Sequence, residues 1–255
     1  MQLFDSHCHI DFKQFDDDRD DVFKRMAAAG VSRIVAVAVE LEQTPRLLNL
    51  VESRENVWFS VGVHPNHEVE SEPTVQQLCE LSAHNKCVAI GESGMDFFRQ
   101  HVEPSVQEIR FRTHIQAAHQ VNKPVIVHMR EADEVTLRIL KEENIAGCGG
   151  IMHCFSSGWN AASQALDMGM SISFSGNVTF KNSQELREVA AKVPLESMLI
   201  ETDSPYLAPV PKRGKRNEPT FVQHVAECIA EVRGISVEHL ADVTTANALK
   251  RFQLI

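Results

Sequence analysis

The chain alternates short apolar runs, rich in β-branched residues, with longer amphipathic stretches. Runs such as IVAVAV at 34–39 and PVIVH at 124–128 are apolar at nearly every position. That suits strands of a parallel sheet covered on both faces. The pattern predicts eight strands, at 2–6, 33–39, 57–63, 87–91, 124–128, 150–153, 171–175 and 197–202. Between them it predicts helices at 17–29, 44–53, 74–84, 105–121, 132–143, 160–168 and 184–192, with Gly30 and Thr74 as exit and entry signals. Two further helices, 221–233 and 237–251, are expected to pack outside. Eight strands alternating with helices over residues 1–255 predict one domain, an α/β (β/α)8 TIM barrel. A doubly wound sheet competes, because periodicity does not show closure.

The residues with chemistry fall where the predicted strands stop. His7 and His9 follow the first strand, His64 the third and Glu92 the fourth; His128 ends the fifth, His153 ends the sixth, and Asp203 follows the eighth. In a parallel barrel those ends face one mouth, where active sites are built. Taken alone, the pair His7 and His9 reads as a turn histidine and a core histidine. Alternate residues of an extended segment point to one side, however, so both imidazoles are able to grip one ion. Glu92 carries two oxygens and is the natural link between two cations. Its competing reading is a salt bridge to Arg99 or Arg130. Asp203 competes with a helix-cap reading; as a site residue it is ligand and proton acceptor, with Glu201 behind the ligands. Asp5 is a candidate to orient an imidazole, Asp11 reads as a turn residue, and the Cys8 thiol is expected to point away.

His64 and Arg130 are placed to hold an anion beside the metals. The run PKRGKRN adds Lys212, Arg213, Lys215, Arg216 and Asn217 as weaker phosphate contacts over the same rim. His67, His84, His101, His114, His119, His224 and His239 lack strand-end placement and read as surface or helix residues.

Composition changes this picture little. Hydrophobic residues at 43% supply a core, and the net charge of −10 argues against a broad basic surface coating nucleic acid. The six cysteines form no C-x-x-C pair and read as reduced thiols. No apolar run approaches the roughly 20 residues of a membrane span, and no leader pattern is visible. Residence in the cytoplasm and a monomeric state are the expectations, with no membrane and no obligate protein partner.

Seven motifs, DSHCHID, VGVHP, GESGMDF, PVIVHMR, MHCFSSG, ETDSPYLAP and RGKRNEP, run in order along the chain. Together they resemble the TatD-family metal-dependent hydrolases, TatD-type deoxyribonucleases of the amidohydrolase superfamily. The resemblance implies a TIM barrel that hydrolyses DNA phosphodiesters, with 3′-to-5′ exonuclease action in some members. It implies His7, His9 and Asp203 on one divalent cation, His128 and His153 on a second, and Glu92 between them. The cations are expected to be Mg, Mn or Zn, and the substrate single-stranded DNA or DNA 3′ ends. The family's H-C-F-S-G departs here to His153-Cys154-Phe155-Ser156-Ser157-Gly158, which is expected to move the flexible turn position by one. The alternatives are a small-molecule amidohydrolase or esterase and a non-catalytic metal-binding module. Many enzymes of the former kind bridge their metals with a modified lysine where this chain has Glu92. Against the latter, six ligands shared by two ions leave open positions.

Overall fold

The computed structural model describes residues 1–99 and 101–255. Its strands are β1 (Leu3–Cys8), β2 (Val31–Ala36), β3 (Val57–Val61), β4 (Cys87–Asp96), β5 (Val125–Arg130), β6 (Gly150–Met152), β7 (Ser171–Phe174) and β8 (Met198–Ile200). Each pairs in parallel with the next, in the order β1 to β8. A parallel bridge from Cys8 to Ser204 joins the two ends, with His9 N–H donating to Ser204 C=O at 2.7 Å and Asp203 N–H to His7 C=O at 2.9 Å. Asp5 strengthens that seam by accepting from Thr202 N–H and Thr202 Oγ1. The barrel reading holds, and the doubly wound sheet is excluded.

The helices are α1 (Arg19–Ala28), α2 (Thr44–Glu52), α3 (Val75–Leu81), α4 (Pro104–Val121), α5 (Asp133–Glu142), α6 (Trp159–Asp167), α7 (Gln184–Lys192), α8 (Val222–Arg233) and α9 (Val237–Arg251). Thr74 caps α3 by accepting from Gln77 N–H, as its sequence position predicts. Apolar residues of β1, β2, β4, β5, β6 and β8 (Phe4, Val35, Val88, Ile126, Ile151, Leu199) meet Ala248 and Phe252 in one cluster. Only the barrel interior brings those strands together, so the C-terminal segment plugs the lower end and leaves the strand C-termini open. That corrects the expectation of an outer terminal helix for the end of α9 alone; α8 packs against α7 in the outer layer, as expected. Among the described residues, no helix is long and apolar enough to cross a membrane.

The largest departure lies in β4, which the sequence pattern ends at Gly91 but which continues to Asp96. Glycines at 91 and 94 admit close backbone approach there. Gly94 has φ +149°, and a Cβ there would collide with His128 C=O. The register slips between Ile90 and Ser93 in β4, and between Asp5 and Cys8 in β1. Such bulges re-aim side chains, and these two carry Glu92 and His7.

Candidate metal centre at the strand C-termini

Two donor sets meet at Glu92. On one side His7 Nε2 lies 3.3 Å from His9 Nε2 and 3.4 Å from Glu92 Oε2. Asp203 Oδ1 stands 3.6 and 3.4 Å from those two imidazole nitrogens, completing that set. On the other side His128 Nδ1 lies 3.3 Å from His153 Nε2, which is 2.9 Å from Glu92 Oε2. The rings of His7 and His153 stack at 3.9 Å, so the two sets share one compact core. All six predicted ligand residues converge.

Hydrogen bonds behind the donors fix their tautomers. His9 Nδ1 donates to Val37 C=O at 2.9 Å, leaving the Nε2 lone pair toward Asp203 and Glu92. His153 Nδ1 faces Glu201 Oε1 at 3.2 Å, and Glu201 also accepts from Cys154 N–H and Ser173 Oγ. His128 Nε2 faces Asp96 Oδ2 at 3.0 Å, while Asp96 Oδ1 accepts from the N–H groups of Phe98 and Arg99. Asp203 itself sits in the left-handed region at φ 56°, a conformation aspartate tolerates better than most residues.

The donors fit divalent cations. Glu92 Oε2 is buried and, despite its closeness to His153, aligned with no donor hydrogen; His7 Nδ1 is likewise unpartnered. A buried carboxylate oxygen ringed by imidazole nitrogens and without a hydrogen bond asks for a positive charge. The electrostatics agree. Burial, with the His153 imidazole, pushes His7 well below the ordinary imidazole range. Burial opposes protonation of His9 too, but Asp203 and Glu92 outweigh it and push it up to about 9. In His153 burial is again overcome, by Glu92 and Glu201, which hold it well above its usual value. Burial raises Glu92, yet His153 and His7 hold its carboxyl well below the usual range. Metal binding displaces protons held in such a set.

The remaining predicted residues divide. His64 lines the cavity above the donors, with its ring 4.4 Å from that of His128. Its Nδ1 accepts from Asn66 N–H, so Nε2 carries the proton. Burial and the His128 imidazole push it down to about 3, which makes it a neutral hydrogen-bond donor. Arg130 also lines the cavity and lies over the Phe98 ring, so Glu92 has imidazole partners instead of the arginine salt bridge weighed from sequence.

The basic run is not part of that lining. Lys212 and Arg213 lie over the rings of Phe221 and Phe180, and Lys215 is exposed. Arg216 is committed to Asp18, at 2.7 and 2.8 Å. Asn217 is fully buried, donating to Thr202 C=O and Tyr206 C=O. The Arg216 charge is therefore already paired, and Asn217 holds the fold and presents nothing to a phosphate. Asp5 reaches Thr202 and the His7 backbone, and touches no imidazole ring. The left-handed turn after β6 falls at Cys154, φ 45°, while Gly158 is extended, so this loop does not use Gly158 as a left-handed turn position.

Sequence reasoning missed Asp96, Arg99, His67, His101 and Tyr206, all of which line the same cavity of about 790 Å³. Asp96 was visible in GESGMDF once the strand is extended through it, because residues 92, 94 and 96 alternate. The others sit on loops that no periodicity addresses.

Comparison with known proteins identifies the family. The family model described as TatD related DNase matches residues 4–253. The metal-dependent hydrolase YcfH of Escherichia coli (strain K12) is 46% identical, covering 100% of this chain and 97% of its own length. The 3′-5′ ssDNA/RNA exonuclease TatD of Salmonella typhimurium is 34% identical, over 99% of this chain and 100% of its length. Among solved structures, YJJV, a TatD homologue from Escherichia coli K12, superposes with a TM-score of 0.93 at 30% identity, covering 98% of each chain. The chain belongs to the TatD family of metal-dependent hydrolases.

Proposed function

We propose that this protein hydrolyses phosphodiester bonds of DNA from the 3′ end, using two divalent cations of the Mg, Mn or Zn class. One observation carries the reading. Glu92 lies between two groups of donors, His7–His9–Asp203 and His128–His153, in an open cavity. Cations held by these residues would supply polarisation of a phosphoryl oxygen and would lower the pKa of the attacking water from about 15.7 toward neutrality.

The chain's own residues do the rest. Asp203 is the least buried of the carboxylates facing the donors, and it accepts the proton of the attacking water. The new O–P bond forms as the P–O3′ bond breaks, and the proton passes to the departing 3′ oxygen. His64 offers its neutral Nε2–H to a non-bridging oxygen, and Arg130 with Arg99 offsets charge on the phosphoryl group. Lys212, Arg213 and Lys215 are left to meet phosphates further along the strand. The name of the Salmonella relative supports a nucleic-acid substrate.

The test compares labelled single-stranded DNA with a panel of lactones and amides, each with metal and with chelator. Asp203→Asn is expected to lower kcat on DNA by about 10²- to 10⁴-fold. Cleavage of the small molecules alone, or a full rate in Asp203→Asn with full metal content, contradicts the proposal.

A further inference from the structure

Among the described residues three aromatic rings are exposed: Phe98 at 53%, Tyr206 at 51% and Trp159 at 38%. Single exposed apolar residues are ordinary, but two of these three stand at the mouth that holds the metal donors. Tyr206 and Phe12 line the cavity, as does Arg130, whose guanidinium lies 3.7 Å from the centroid of the Phe98 ring. Tyr206 follows β8 and Phe12 follows β1, neighbours across the closing seam; Phe98 follows β4, and Arg130 ends β5. In a barrel ordered β1 to β8, the two groups face each other across the mouth.

Both aromatic groups are held in place. Tyr206 N–H donates to Asp203 C=O at 3.0 Å, and Asn217 Nδ2 donates to Tyr206 C=O. The Tyr206 ring stands edge-on to those of His9 and Phe12, each at 6.4 Å. Phe98 N–H donates to Asp96 Oδ1 at 2.9 Å, the carboxylate that also faces His128. With their backbone fixed by the residues that hold the donors, these rings have only side-chain rotation to lose when something flat settles on them.

We propose that Tyr206 on one side, and the Phe98–Arg130 stack on the other, bind the unpaired nucleobases flanking the scissile phosphate. This deepens the phosphodiesterase reading and rests on it. The metal donors read phosphate alone, which carries no base information. Stacking adds a demand for bases out of a duplex and tolerates every base, since each has a π-face. Tyr206 and Phe98 are then specificity residues that set affinity for single-stranded ends and leave the hydrolytic step to the donors beneath.

The experiment measures binding by metal-loaded protein of a labelled oligothymidylate whose last linkage is a methylenephosphonate, which is bound without being cut. A matched oligonucleotide carries hydrogen in place of the two bases flanking that linkage. Tyr206→Ala and Phe98→Ala are expected to weaken the first roughly tenfold or more and to leave the second within about twofold. Tyr206→Leu and Phe98→Leu, which keep volume without a flat face, are expected to follow alanine, while Tyr206→Phe retains affinity. Equal weakening of both oligonucleotides, as a displaced Arg130 would give, overturns the proposal, and so does no weakening of either. Wild-type protein that binds with this pattern yet cuts no cleavable version overturns the hydrolytic reading and leaves the stacking standing. Wild-type protein that cuts DNA but is indifferent to these substitutions overturns the stacking alone. Protein that neither binds nor cuts overturns both.

Discussion

Asp96 Oδ2 stands 3.0 Å from His128 Nε2, on the far side of the ring from the nitrogen that faces His153 and Glu92. Burial raises Asp96, but the hydrogen bond with His128 and the N–H groups of Arg99 and Phe98 outweigh it and hold its carboxyl well below the usual range. A charged carboxylate there keeps the proton of His128 on Nε2 and its lone pair on Nδ1, toward the metal donors. Asp96→Ala is therefore expected to weaken affinity for the cation held by His128 and His153 about 10- to 100-fold. Metal titration by calorimetry checks it, and unchanged affinity would show that His128 needs no such partner.

His114 offers a pH-dependent test outside the metal centre. It is fully buried in α4, accepts from Val63 N–H at 3.0 Å and faces Arg110 C=O at 2.7 Å. Burial pushes it down to about 4 from an ordinary 6.5. Between those values the unfolded chain binds a proton that the folded chain refuses. Stability is thus unaffected above pH 6.5, falls as pH drops through the window and reaches its full loss below about 4. The loss is on the order of 3 kcal/mol. Denaturant unfolding of wild type and His114→Gln across that range should converge toward acid by about this amount; parallel curves would contradict it.

How much of this was legible in the sequence follows from which forces act locally. The strands are apolar on both faces, so their positions were visible, and the six residues that converge at the mouth were picked out because each stands beside such a run. The end of β4 was hidden, because Gly91 and Gly94 serve contacts with β5 that only the fold supplies. The fate of Asn217 was hidden for the same reason. Beside four cations it reads as a phosphate contact, yet it is buried beneath the Tyr206 turn. Loop residues such as Arg99 and His101 have no periodic signature and join the cavity only through the path of the chain between β4 and α4.

The basic loop separates charge that faces solvent from charge already engaged. Arg216 is paired with Asp18, which Arg216 and Arg25 hold down to about 2 against partial burial. Arg216→Ala is expected to cost about 1 kcal/mol or less of stability and to leave the salt dependence of DNA binding unchanged. Replacing Lys212, Arg213 and Lys215 together by alanine should lessen the slope of log K against log salt by about 0.7 for each phosphate no longer neutralised. Binding isotherms over a range of salt concentrations decide this. A reduced slope in the Arg216 variant would reverse the assignment.

The central claim is that the two donor sets joined by Glu92 hold catalytic divalent cations that serve phosphodiester cleavage. Metal analysis of the purified protein, coupled to cleavage of 3′-defined single-stranded DNA with and without chelator, tests it most directly. The account predicts two divalent cations per chain, stepwise release of mononucleotides from the 3′ end, loss of cleavage with chelator and its return with metal. Two bound cations without any DNA cleavage, or cleavage untouched by chelator, would contradict it.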